Sequence, residues 1–183
     1  AVESYQSLYL KAYYPLEYMT ACINNYGGFY RTEFYVHEAR RLGAVIEPPC
    51  INKGSYSSVL QGKNLILGFQ MIRGIERKSV EELIRKRDFY GAFTAFEDFI
   101  DLVRIPFDQL VLLIRVNALR EIDTNRKRLL WKTHVFYQKK PSPVQQQLGL
   151  DNRQQKSVTI PEIQEHPLEL DFDYFELLGF PLC

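Results

Sequence analysis

The sequence predicts a mainly α fold with one small β-hairpin. Three observations carry that expectation. Apolar residues recur at helical spacing over most of the chain, "SYSSVLQGKNLILGF" reads as two short strands around a glycine turn, and proline or glycine punctuates the helical segments at short intervals. The 183 residues are 46% hydrophobic and 25% charged, the composition of a soluble globular protein. No apolar run approaches the roughly 20 residues that cross a bilayer, and no cleavable signal pattern is present. The expectation is therefore a cytoplasmic chain without a membrane partner. Its three cysteines, Cys22, Cys50 and Cys183, are odd in number and far apart, which argues against a disulfide framework or a zinc site.

The elements follow in order. Tyr5, Leu8, Tyr9 and Ala12 share one face of a first helix that Pro15 ends. Proline then opens "PLEYMTACIN", which closes at "NNYGG". A third helix runs from Tyr30 to Leu42, with Gly43 as its cap. "AVIEPPCIN" is extended, because Pro48 and Pro49 restrict the residues before them. The hairpin turns at Gln61-Gly62-Lys63-Asn64. The helix after the Arg73-Gly74-Ile75 turn is expected to run to about Asp88, "FYGAF" (with Gly91) makes a turn, and helices follow over 94–103, 107–117 and 125–137. "KKPSPVQQQLGLDNRQQ" is rich in proline and glutamine and reads as a linker. In "HPLELDFDYFELLGF", Asp171 and Asp173 alternate with Phe172 and Tyr174, which suits an extended segment.

A catalytic centre is not evident. His37, His134 and His166 fall on different elements, and no metalloprotease, nucleophile-elbow or phosphate-loop pattern occurs. Glu97, Asp98 and Asp101 cluster opposite an apolar face and read as the wet side of a helix. No catalytic or metal-ligating residue is assigned, since the pair Asp171 and Asp173 lacks a third ligand. Net charge is only +1, yet Arg115–Lys140 holds eight Lys/Arg against two acids, whereas Pro161–Cys183 holds six acids and no cation. Such asymmetry fits a polyanion-binding face beside a region kept off it, and fits solvated helix faces equally well.

Two segments could grip a phosphate backbone. In "GFQMIRGIERKSVEELIRKR", a turn through Arg73, Gly74 and Ile75 feeds a helix N-terminus, and Arg77 and Lys78 add charge. Backbone N–H groups and the helix dipole of such a turn suit a phosphate oxygen. The same pattern also joins two helices with no ligand, and Glu76 puts a carboxylate where one would repel phosphate. In "LIRVNALREIDTNRKRLLW", Thr124 or Asn125 can cap a helix that begins with Arg126, Lys127 and Arg128. Cations there oppose the dipole, so something else must favour them, either a bound backbone or surface solubility.

The motif order "SYQSLYLKAYYPLEYMTACIN", "EARRLGAVIEPPCIN", "LILGFQMIRGIERKSVEELIRKR", "FTAFEDFIDLV", "LLIRVNALREID" closely resembles the C-family polymerases, the bacterial DNA polymerase III alpha subunit. That family has a "SYQ…LKAHYP" helix, an "EARRMG…PPDVN" segment, a "GLGAIKGVG" hairpin, then "LEDF" and "LIKAGAFD". The likeness is collinear over about residues 1–130. It implies the C-terminal part of the fingers over 1–53 and a tandem helix-hairpin-helix DNA-binding region over 54–138. A flexible linker over 139–165 and an acidic segment over 166–183, leading to a further domain, would follow.

The resemblance also implies duplex (primer–template) DNA, the sliding clamp and other replicase subunits as partners. Gln147, Leu148 and Leu150 of "QLGLD" would form a clamp-binding peptide, with an inert linker as the alternative. The family's palm, with its Mg²⁺-binding aspartates, would lie upstream. This fragment would then need no cofactor of its own and be inactive alone as a DNA-directed DNA polymerase. Three positions depart from the family's pattern. Glu76 replaces the hairpin's second glycine, Asn117 the glycine of "AGA", and Cys50 the aspartate of "PPD". The first two bear on the strength of DNA binding. A protein-interaction scaffold that has lost DNA contact is the alternative function; a stand-alone repair enzyme would need a catalytic constellation that the sequence lacks.

Overall fold

The computed structural model describes residues 2–26, 29–138 and 166–182. Among them eight α-helices surround a three-stranded sheet. Helices α1 (Val2–Tyr13) and α2 (Pro15–Asn24) are separated at Tyr14, with Pro15 at the first position of α2. Helix α3 (Thr32–Arg41) packs on α2 and buries Val36 and Ala39 beside Met19 and Ile23. Helix α1 buries no residue.

Strand β1 (Val45–Glu47) pairs in parallel with β3 (Asn64–Ile66), and β2 (Val59–Gln61) pairs antiparallel with β3. The expected hairpin is therefore present. The third strand of the sheet, β1 from "AVIEPPCIN", is the segment expected to be extended, but it carries no sequence signal of its partner. Asn24 fastens α2 to this layer: its side chain donates to the Ser58 carbonyl at 2.8 Å and accepts from the Ser58 N–H at 2.7 Å.

After β3 the chain makes one 3-10 turn, Phe69–Met71, and enters α4 (Arg77–Tyr90). Helices α5 (Phe96–Val103), α6 (Phe107–Arg115) and α7 (Arg126–Gln138) follow close to their expected positions. Glu97, Asp98 and Asp101 are exposed on α5, opposite buried Phe96, Phe99, Ile100 and Val103, as the amphipathic pattern requires. One continuous apolar cluster reaches from Met19 through Leu65, Phe69, Leu83, Phe99 and Leu113 to Phe180.

The C-terminal segment departs from expectation. Residues Pro167–Leu178 form a helix, α8, rather than an extended strand. His166 caps it through its side chain, Glu169 completes a capping box, Pro167 takes the first helical position and left-handed Gly179 (φ 93°) closes it. These end signals outweigh the short acid–aromatic alternation. The helical period then sorts the residues differently: Tyr174, Leu177 and Leu178 enter the core, while Leu168, Phe172 and Phe175 are exposed.

Candidate nucleic-acid interface

The first turn is built on Gly74, whose φ of +80° belongs to the left-handed region. Arg73, Gly74 and Glu76 are exposed, and Ile75 is half-buried over the core. Buried Gln109 of α6 holds the turn from beneath. Its Oε1 accepts from the Glu76 N–H at 2.7 Å, and its Nε2 donates to the Gly74 carbonyl at 3.2 Å. The Arg73 N–H donates to the Leu177 carbonyl of α8 at 2.8 Å. A Cβ on Gly179 would stand 2.9 Å from the Arg73 guanidinium, so glycine there lets that side chain pass.

Behind this turn, α4 starts with Glu76 at the N-cap, no side-chain cap and no acid in its first turn. The N–H groups of a first helical turn have no partner within the helix, and they gather the positive end of the dipole. The Glu76 carboxylate accepts from the Ser79 hydroxyl at 3.4 Å, a long contact. Arg77 pairs with Glu81 at 2.7 Å and lies 5.0 Å from the Tyr56 ring centre. Lys78 is exposed, with no ion pair among the described residues. This end of α4 therefore offers N–H groups and one available ammonium.

The second turn is differently furnished. Helix α6 ends with Asn117 left-handed at φ 59°, where its N–H donates to Ile114 and that of Ala118 to Leu113, both at 2.9 Å. This is the closing pattern that favours glycine and also admits asparagine. The departure from "AGA" thus preserves the turn. Asn125 caps α7: its side-chain oxygen accepts from the Arg128 N–H at 2.9 Å, and its own N–H donates to Asp123 at 2.9 Å.

The three cations that open α7 all meet carboxylates. Arg126 is buried, donating to Asp173 at 2.5 Å and to the Arg115 carbonyl at 2.8 Å. Lys127 pairs with Glu169 at 2.8 Å, and Arg128 with Asp123 at 2.6 Å. Arg115 joins Asp173 at 2.6 Å and Glu176 at 2.5 Å. Residues 169, 173 and 176 lie on one face of α8 by helical spacing, turned to the basic ends of α6 and α7. What offsets the dipole penalty here is this acidic face.

The electrostatics agree. Lys127 beside Glu169 holds that carboxyl below its usual range, and Arg115 does the same for Glu176. Burial pushes the Asp123 carboxyl up, but hydrogen bonds from Arg128 and the Asn125 N–H bring it below its ordinary value. Burial raises the Tyr174 hydroxyl.

The structure thus brings Arg73, Gly74, Ile75, Arg77 and Lys78 together at one turn, and Asn125, Arg126, Lys127 and Arg128 at the other. Gln147, Leu148 and Leu150 lie outside the described residues. Among the described residues, no three His, Cys, Asp or Glu side chains converge to hold a metal ion, and no helix is long and apolar enough to cross a membrane. Sequence reasoning missed Gln109, whose signal was an amide on an otherwise apolar helix face. It also missed the joint action of Glu169, Asp173 and Glu176, which their spacing of four and then three would have shown.

Residues 43–129 match the family model described as a helix-hairpin-helix motif. An error-prone DNA polymerase of Vibrio campbellii is 33% identical over 72% of this chain, and the DNA polymerase III subunit alpha of Chlamydia pneumoniae is 29% identical over 74%. An error-prone DNA polymerase of Vibrio vulnificus is 28% identical over 97%. The chain belongs to the DNA polymerase III alpha family. It spans 13%, 11% and 16% of those three relatives, respectively. The family model covers both turns together with Gln109, and its helix-hairpin-helix description agrees with the pairing of α6 and α7 around Asn117. The first turn is a shortened version, with a single 3-10 turn in place of a leading α-helix.

Proposed function

We propose that this chain grips the backbone of duplex DNA, without reading its sequence, as part of a DNA-directed DNA polymerase of the polymerase III alpha type. The observation that carries the reading is the uncapped N-terminus of α4 behind exposed Gly74, with Lys78 beside it and in no ion pair among the described residues. Backbone N–H groups and an ammonium can hold a phosphate oxygen and say nothing about the bases. Arg73, Ile75 and Arg77 frame this contact. Asn125, Lys127 and Arg128 contribute at the edge of the second turn, and Arg126 acts from within by fixing α7.

Fluorescence anisotropy on blunt duplexes of two unrelated sequences tests this. Equal affinity for both is expected, with Lys78→Glu weakening each about tenfold and lowering the salt slope by about one. Glu76→Gln should strengthen binding, because it removes a like charge from the phosphate site. Wild-type affinity in Lys78→Glu would remove the reading's main support.

Within the parent polymerase, the cytoplasmic replication machinery supplies the remaining partners of this proposal: the sliding clamp, docked by Gln147, Leu148 and Leu150, and other replicase subunits. Nucleotidyl transfer and its Mg²⁺ belong to the family's palm. A second reading, a protein-interaction scaffold, is favoured by one observation, the carboxylate partners of all three cations opening α7. Purified clamp bound by a chain that ignores duplex DNA would select it.

A further inference from the structure

Most cations of the described residues face carboxylates; Arg31, Lys63, Arg73, Lys78 and Arg104 do not. Two of these five, Arg31 and Arg73, line one cleft. It has a volume of about 540 Å³, and its walls include Tyr26, Arg31, Glu33, Gln70, Arg73 and Gly179. Arg31 is exposed at the entry to α3, and its guanidinium has no hydrogen-bond or ion-pair partner among the described residues. The Arg73 guanidinium is tethered by the Glu176 carbonyl at 3.2 Å, a contact that leaves its charge uncancelled. Glu33 is the acid of the cleft, and its carboxylate lies 3.7 Å from His37. Tyr26 is left-handed at φ 48°, and its hydroxyl donates to the Gln70 carbonyl at 2.9 Å, which pins one wall to the segment before the first turn.

Beside Arg31 stand three rings open to water, with Tyr30 in contact with the other two. Phe29 is 95% exposed, Tyr30 62% and Phe34 57%. Phe29 and Tyr30 meet edge-on at 5.4 Å, and Tyr30 and Phe34 are 5.6 Å apart. A contiguous exposed aromatic patch marks an interaction surface. Its chemistry names the partner. Rings set beside uncancelled guanidinium charge match a strand whose bases are free to stack and whose phosphates follow at short intervals. A duplex hides its base faces and would leave the rings unused.

We propose that this cleft and its aromatic rim form a binding site for single-stranded nucleic acid. A phosphodiester lies against Arg31 and Arg73, and neighbouring bases stack on Tyr30, Phe29 or Phe34. Because Arg73 adjoins Gly74, a strand leaving a duplex held at the first turn would pass directly into the cleft. That continuity rests on the duplex reading; the single-strand affinity does not.

The test compares labelled short oligothymidylate with a blunt duplex in anisotropy titrations of the 183-residue chain. Arg31→Glu and Tyr30→Ala should each weaken the single strand about five- to tenfold, while the duplex stays within about twofold. Lys63→Glu, on the β2–β3 turn outside the cleft, should alter neither. Both altered residues are exposed, so unchanged thermal melting will show that the variants fold. The proposal is overturned if the wild type does not bind oligothymidylate, or if both variants bind it as the wild type does. It is equally overturned if Arg31→Glu weakens duplex and single strand alike, or if Lys63→Glu matches its effect. A failure of Lys78→Glu to affect the duplex would remove the duplex reading and leave this one standing.

Discussion

The two turns of this molecule carry the same kind of residue at the same kind of place, and treat it in opposite ways. Both put cations at the start of a helix whose dipole disfavours them. At the first, α4 begins without a side-chain cap, and Lys78 is open to solvent. At the second, Asn125 caps α7, and Asp173, Glu169 and Asp123 take Arg126, Lys127 and Arg128. The difference teaches that a basic helix start is not by itself an available anion site. What packs over it decides, and here two of those carboxylates arrive on α8, more than forty residues later in the chain. Helix α8 also ties the turns together, accepting from the Arg73 N–H through Leu177 and from the Arg115 side chain through Glu176. Gln109 does the same from below, reaching from α6 to the first turn.

The comparison breaks most visibly at Arg126. Its side chain is 6% exposed and shares Asp173 with Arg115. Removing one partner of a buried pair leaves the other charged and desolvated, typically a loss of about 3–5 kcal/mol. Arg126→Ala is therefore expected to lower stability by about that amount in urea denaturation, with the loss appearing before any DNA is added. A variant that stays within about 1 kcal/mol of wild type but binds duplex much more weakly would reverse the assignment, making Arg126 a DNA contact after all.

Much of this arrangement was legible in the sequence, and the part that was not has a common cause. The hairpin at Gly62, the breaks at Pro15 and Gly91, and the four central helices follow from local signals: turn chemistry, capping residues and apolar period. The parallel pairing of β1 with β3 does not, since no local feature of "AVIEP" names its neighbour. Helix α8 was readable from His166-Pro167 and Gly179, but four residues of alternating acid and aromatic mimicked a strand. The ion pairs of Arg126 and Lys127 required knowing that α8 lies across α6 and α7, a fact of tertiary packing. The need for a partner at Arg126–Arg128 was visible; its identity was not.

A smaller effect separates the two left-handed residues. Gly74 has no Cβ to strain, whereas Asn117 holds φ 59° with a side chain. Left-handed backbone costs most L-residues about 1–2 kcal/mol, with asparagine among the tolerant ones. Asn117→Ala should destabilise by about 1 kcal/mol, and Asn117→Gly should match or exceed the wild type in a thermal melt. Gly74→Ala should show a similar strain cost, because only Leu112 at 3.7 Å lies near its new Cβ. It should in addition weaken duplex binding, which Asn117→Ala should not. Equal duplex losses at both positions would erase the functional distinction between the turns while leaving their backbone likeness intact.

The smallest effect is a pH dependence to which the second turn contributes. Glu169 and Glu176 titrate below their ordinary value of 4.5 in the folded chain, because Lys127 and Arg115 favour the charged forms. Between the folded and unfolded values the unfolded chain binds more protons, so stability rises with pH across that window. Their contribution is complete above the unfolded value and disappears as pH falls through the folded one. Both pairs are solvent-exposed on the acid's side, so the loss should be modest. A shift of the urea midpoint to lower concentration below about pH 4.5 is expected, reduced in the Glu169→Gln, Glu176→Gln double variant. That variant also separates the turns at neutral pH. With two acids gone, Lys127 and Arg115 each lose one carboxylate, and duplex affinity should rise with a steeper salt slope, because the local charge becomes more positive. An unchanged slope would mean that α8 shields the second turn by its bulk, and not by its charge.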